Sequence, residues 1–201
     1  MSLILGILDS GTAAAPPGAA SFIATVSNTS PRVFAWPFSS GFGTKYANPA
    51  TLPAGVGEDV NIRPLGADLA VAHATSPRVT AYPWLPGFGT KYTDPATVPT
   101  GDGIGVAFSP NGNDIAVAHD VTPFISAWPW SSGFGTKYAN PATLPADAAR
   151  AIRFRPEGDA IAVANNTSPR VTAYPWSSGF GTKYADPASL SVGNGAGISF
   201  L

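Results

Sequence analysis

Two histidines, His73 and His119, stand 46 residues apart in a chain of 201 residues. A metal centre built on them would need a third and a fourth converging ligand. The positions one further step away on either side hold Ser27 and Asn165, which suit a strand-end residue hydrogen-bonding the next turn. The chain has no cysteine, which excludes disulfides, thiolate ligands and a cysteine nucleophile. The carboxylates give no catalytic pair either. Asp68 and Asp114 share one repeat position; Asp94 and Asp186 share another, where Asn48 and Asn140 also occur. An Asn/Asp exchange before proline is what turn capping tolerates. Glu58, Asp59 and Glu157 are unrepeated, and nothing in the sequence brings two of them across one site as acid–base hydrolysis requires. The sequence therefore assigns no catalytic, cofactor-binding or metal-binding residue, and the chain is expected not to be an enzyme.

Binding chemistry has better candidates. Trp36, Trp84, Trp130 and Trp176 fall in one recurrent apolar segment, and Lys45, Lys91, Lys137 and Lys183 recur in another. Aromatic platforms suit sugar rings, and lysine offers donors to a sugar or an anionic group. These eight residues are the candidate ligand site. The competing reading is packing for the tryptophans and protection of an outer sheet edge for the lysines. Gly41-Phe-Gly43 and its copies carry a Gly-x-Gly, but no helix follows, so a phosphate-cradling loop is not expected.

The elements that must position these residues follow from the repeat. Gly-Phe-Gly-Thr-Lys-Tyr begins at Gly41, Gly87, Gly133 and Gly179, a constant step of 46, and Pro31, Pro77, Pro123 and Pro169 keep the same step. A fixed period of this length without insertions marks an array of one supersecondary unit, in which neighbours bury each other's apolar faces. One unit reads as four short strands: Gly105–Pro110, Asp114–His119, Pro123–Trp130 and Gly133–Tyr138, each ended by a turn signal. No segment carries a helical apolar period. In the third strand, Phe34, Trp36 and Phe38 share one face and Val33 and Ala35 the other. Both faces are apolar, as a sheet packed between two others requires.

Composition closes off other classes. Charged residues make up 11% and the formal net charge is −1, so there is no basic stripe for nucleic acid and no polybasic membrane patch. Hydrophobic residues at 44% argue against disorder. The 22 glycines and 21 prolines recur in register and so punctuate strands instead of forming a linker. Met1–Leu8 is apolar but lacks the basic residues of a signal peptide and falls far below a membrane span.

Val106-Ala-Phe-Ser-Pro-Asn-Gly112 followed by Ile115-Ala-Val-Ala118 resembles the V-x-F-S-P-D-G-x-x-L-A-V-A core of WD-repeat and YVTN-type β-propeller blades. The Gly-His and Trp-Asp pairs of true WD repeats are missing, so their Asp-His-Ser/Thr-Trp hydrogen-bond network does not carry over. The opening Met1–Gly11 and its small-residue run to Ala20 resemble the short N-terminal arms of bacteriophage tail or capsid-associated proteins.

The resulting expectation is an all-β propeller of four-stranded blades over residues 21–201, preceded by an arm and linker at 1–20. Four blades would close when Gly197–Leu201 pairs with the strand near Ile23. Leu3–Leu8 could fill that slot instead, or the free strand could complete a neighbouring subunit. In function, the resemblance implies a non-enzymatic virion component, a tail or capsid appendage. It would be anchored to other virion proteins through its arm, contact a cell-surface glycan, and form a homo-oligomer. A lectin-like carbohydrate-binding module and an intracellular protein-interaction scaffold are the alternatives.

Overall fold

The computed structural model describes residues 21–201; the arm at 1–20, including Leu3–Leu8, lies outside the described residues. Four repeat units follow one another. The first contains β1 (Phe22–Val26) and β2 (Val33–Pro37). The second contains β3 (Gly57–Ile62), β4 (Asp68–His73) and β5 (Val79–Pro83), with one 3-10 turn at Pro64–Gly66. The third contains β6 (Gly103–Phe108), β7 (Asp114–His119) and β8 (Ile125–Pro129). The fourth contains β9 (Ala149–Phe154), β10 (Ala160–Asn165) and β11 (Val171–Pro175). The first unit is a two-stranded antiparallel hairpin and the other three are three-stranded antiparallel meanders, ordered as in the chain. The molecule is all-β and propeller-like.

The middle strand explains why the units stack. β4, β7 and β10 read DLAVAH, DIAVAH and AIAVAN, and every residue in all three is buried. Side chains alternate across a strand, so Leu or Ile and Val fall on one face and the two alanines on the other. Each sheet thus has a large face and a small face. Ala70, Ala72 and Ala81 of the second unit receive Val106, Phe108, Ile115 and Val117 of the third. Ala107, Ala116, Ala118 and Ala127 of the third receive Ile152, Phe154 and Ile161 of the fourth. Ala24, Val26 and Val33 of the first receive Leu69, Val71 and Tyr82 of the second. Every interface runs in the same sense, small face behind and large face ahead. Each fully buried large side chain contributes about 1.5–3 kcal/mol.

Backbone approach is close along the inner strands. A Cβ on Gly105 would lie 3.2 Å from the Cα of Ala151, so β6 and β9 pack at a distance glycine permits. Between β3 and β6, side chains bridge the gap: the Asp59 carboxylate accepts the Val106 N–H at 3.0 Å and the Asn61 carbonyl accepts the Phe108 N–H at 2.9 Å.

Two sequence expectations change. The fourth strand over Gly-Phe-Gly-Thr-Lys-Tyr shrinks to single bridges, Phe38 to Phe42, Trp84 to Phe88, Trp130 to Phe134 and Trp176 to Phe180. The segment still bonds the third strand twice: Gly135 N–H donates to the Pro129 carbonyl and Tyr138 N–H to that of Ala127, both at 2.9 Å. The proline has no N–H to continue the ladder, so the pairing stops there. The closing pair is also not formed. Among the described residues β1 pairs only with β2, and residues 185–201 carry no strand. No helix among the described residues is long and apolar enough to cross a membrane.

Candidate functional site

The tryptophans named from the sequence serve packing. Trp84, Trp130 and Trp176 are 8%, 2% and 6% exposed. Trp130 donates its indole N–H to Asp68 at 3.0 Å and Trp176 to Asp114 at 3.1 Å, each across a unit boundary. Each ring meets the edge of a tyrosine from the preceding unit, Tyr92 and Tyr138. Those tyrosines donate to the same aspartates at 2.7 Å. Burial, with the neighbouring carboxylate, pushes both hydroxyls up to about 12, so they stay donors. Asp68 also takes an Arg63 guanidinium N–H at 3.0 Å. These three rings therefore present no open face to a sugar. Trp36 belongs to a different row, that of Tyr82, Trp128 and Tyr174, and is half-buried.

The lysines clamp their own loop. Lys45 donates to the Asn48 amide oxygen at 2.6 Å, Lys91 and Lys183 pair with Asp94 and Asp186, and Lys137 donates to Asn140. The step of three explains why Asn and Asp alternate freely there: either oxygen accepts. The four lysines hold repeated turns at the outer edge and are not brought together.

His73 and His119 are fully buried. Their Nε2 atoms meet Thr80 Oγ1 at 2.9 Å and Ser126 Oγ at 3.2 Å; Asn165 donates from its amide to Thr172 at 3.2 Å in the same position. Desolvation lowers both imidazoles to about 4, so they are neutral linkers between the second and third strands. No group of three His, Cys, Asp or Glu among the described residues could hold a metal ion.

A different set of residues does converge. Where the inner strands meet, a cavity of about 240 Å³ is lined by Glu58, Asp59, Ile104, Arg150, Ala151, Arg153, Ala196, Gly197 and Ile198. Glu58, Ile104 and Arg150 occupy one repeat position in the second, third and fourth units, and Ala196 holds it in the C-terminal segment. Asp59 lies 3.4 Å from the Arg153 guanidinium, which also donates to the Ile152 carbonyl at 2.7 Å. Arg150 donates to the Asn166 amide oxygen at 3.1 Å. Sequence reasoning set Glu58 and Asp59 aside because they do not repeat. That lack of repetition was itself the usable signal: fold-holding residues recur at each step, whereas one central site needs a different residue from each unit.

No protein-family model and no curated protein matches this chain. Solved structures do match. A candidate 6-phosphogluconolactonase of Bacteroides uniformis is 18% identical, with a TM-score of 0.52 over 76% of this chain and 49% of its own. Hydrazine synthase of Kuenenia stuttgartiensis is 16% identical, with a TM-score of 0.56 over 83% and 49%. A candidate 6-phosphogluconolactonase of Bacteroides fragilis is 12% identical, with a TM-score of 0.58 over 85% and 45%. The chain spans about half the length of the structures it matches. At these identities the likeness is one of fold.

These matches correct the reading of the chain as a non-enzymatic bacteriophage structural protein. Its architecture is shared with proteins named for enzymatic activity, and none of the three is named as a virion component. The regular repeats and low charge that suggested a virion part are what unit-on-unit packing demands of any such array. The arm that carried the phage resemblance lies outside the described residues.

Proposed function

We propose that the inner-strand cavity binds a small phosphorylated sugar derivative and that the chain is part of a hydrolytic propeller of the lactonase type. The convergence of Glu58, Asp59, Arg150 and Arg153 on one cavity, from positions where the repeat units differ, carries this reading. The names of two of the matched structures favour it further. The blade count assigned to the chain in this reading is four.

The chemistry follows from the side chains. Guanidinium groups pair with phosphate or carboxylate through two parallel N–H donors. Arg150, on the solvent side, takes the anionic end of the ligand. Arg153, held by Asp59 and the Ile152 carbonyl, presents a fixed positive charge to the ester carbonyl. Glu58 is exposed and makes no ion pair among the described residues, which leaves it free as general base. Glu58 takes a proton from water as the water oxygen bonds to the lactone carbonyl carbon. The ring C–O bond then breaks, and that proton passes to the leaving alkoxide. Lactone and water give the open hydroxy acid.

The test is hydrolysis of 6-phosphogluconolactone followed by NMR against a buffer blank. The wild-type chain should exceed the blank. Arg150→Ala and Glu58→Gln should each lower the excess rate by at least about tenfold, equivalent to ~1.4 kcal/mol of barrier. A wild-type rate equal to that of the blank overturns the reading.

A further inference from the structure

Among the described residues the repeated interface leaves the large face of the first unit without a partner. The first unit ends the series with its large face outward, and that face is uncovered among the described residues. Ile23 and Trp36 are only half-buried, while their counterparts Leu69, Ile115, Ile161 and Tyr82, Trp128, Tyr174 are all 0% exposed. Phe42 is 67% exposed, and its ring meets the edges of Trp36 and Phe38 in one aromatic cluster. Exposed clusters of this kind mark interaction surfaces. At the other end, the fourth unit carries the small face, with Ala162 and Ala164 buried and Ala173 half-buried in the places of Ala70, Ala72 and Ala81.

The strand edges are complementary too. β1 has no inner strand beside it, whereas β4, β7 and β10 each have one. The C-terminal segment lies at the repeat position of an inner strand and has no pairing partner among the described residues. Gly195 N–H donates to the Asn165 carbonyl at 3.0 Å, as Gly57 N–H does to the Ser27 carbonyl at the same distance at the first boundary. Beyond it, Ile198 and Phe200 are half-buried while Gly197, Ser199 and Leu201 are exposed, the alternation of a strand laid on the fourth unit.

We propose that a second copy of this chain docks on the first unit, laying its segment Gly195–Leu201 along β1 beside the Trp36 aromatic cluster. The pairing of β3 with β4 sets the register, which places Ile198 opposite Thr25 and Phe200 opposite Ile23. The contact is head-to-tail, so it closes a ring if the rotation allows. Two copies of four units give eight, within the range of propeller rings. Within each copy the same segment carries Gly197 and Ile198, which line that copy's inner cavity. The contact stands independently of what that cavity binds.

The chain has no native cysteine, so engineered cysteines report the register directly. Full-length T25C and I198C are purified separately, mixed, and oxidised. A mixed disulfide between the two single variants is expected, absent when either variant is oxidised alone. Light scattering on the unmodified chain should give at least twice the 20.5 kDa of one copy. Two results overturn the proposal. One is a 20.5 kDa species at all concentrations with no mixed disulfide. The other is a T25C/I198C double variant that cross-links only within itself, which would show closure inside one chain. Coverage of β1 by Leu3–Leu8 would likewise leave the mixed disulfide unformed.

Discussion

The Asp68 carboxylate lies 3.0 Å from the indole nitrogen of Trp130, 62 residues further along the chain and in the next unit. Asp114 repeats the relation with Trp176 at 3.1 Å. These bonds join successive units with a buried charge that Tyr92 and Tyr138 also satisfy. Asp114→Ala removes the acceptor for two donors at once, the buried Trp176 indole and the half-buried Tyr138 hydroxyl. A loss of about 2–4 kcal/mol is expected from two charge-assisted bonds and the unpaired groups left behind. Urea unfolding of the variant measures it, and a loss below ~0.5 kcal/mol would show that the clamp is not structural.

The first unit solves the same problem differently. Phe22 stands at the aspartate position and stacks on Trp84, with ring centroids 3.9 Å apart and planes 13° apart. Phe22→Ala should cost about 3 kcal/mol through the cavity it leaves. Phe22→Asp places a carboxylate where Tyr46 and Trp84 stand as Tyr92 and Trp130 do around Asp68. It should recover most of that loss, so that the order of unfolding midpoints is wild type, F22D, F22A. An F22D midpoint at or below that of F22A would contradict the equivalence of the two clamps.

Acid should weaken the fold through His73 and His119. Burial lowers both from 6.5 to about 4 in the folded state, so between these pH values the unfolded chain binds more protons than the folded one. Stability is therefore complete above pH ~6.5 and falls as pH drops toward ~4. The loss reaches on the order of 3 kcal/mol per histidine at 1.36 kcal/mol per unit. Asn165 shows which replacement the position accepts. H73N/H119N should flatten the stability–pH curve in that window, and an unchanged slope would place the titration elsewhere.

The loop lysines should matter little. Lys91→Ala and Lys183→Ala each remove an outer-edge ion pair, worth at most about 0.5–1 kcal/mol. Neither should alter ligand binding; a loss of ligand affinity in either would return the site to the outer edge.

The repeat made the fold readable because packing between identical units imposes identical residues at each step. The buried Asp-Leu/Ile-Ala-Val-Ala strand and its turns were visible for that reason. The aromatic alternation overstates the outer strand, since it runs on past Pro129 and its copies, where the ladder ends in a single bridge. The Asp68–Trp130 clamp was hidden because its partners are 62 residues apart and only the stacking of units brings them together. Glu58 and Arg150 were hidden differently: they occupy one position in different units, and their shared cavity exists only where the inner strands meet.

The measurement that bears most directly on the inner cavity is a titration of the isotope-labelled chain with 6-phosphogluconate, the product of the proposed reaction, read by amide chemical shifts. Saturable shifts should centre on Glu58, Ile104, Arg150 and Gly197 and vanish in R150A/R153A. Shifts confined to the loops around Lys45 and its copies, or none at millimolar ligand, would contradict a site at the inner strands.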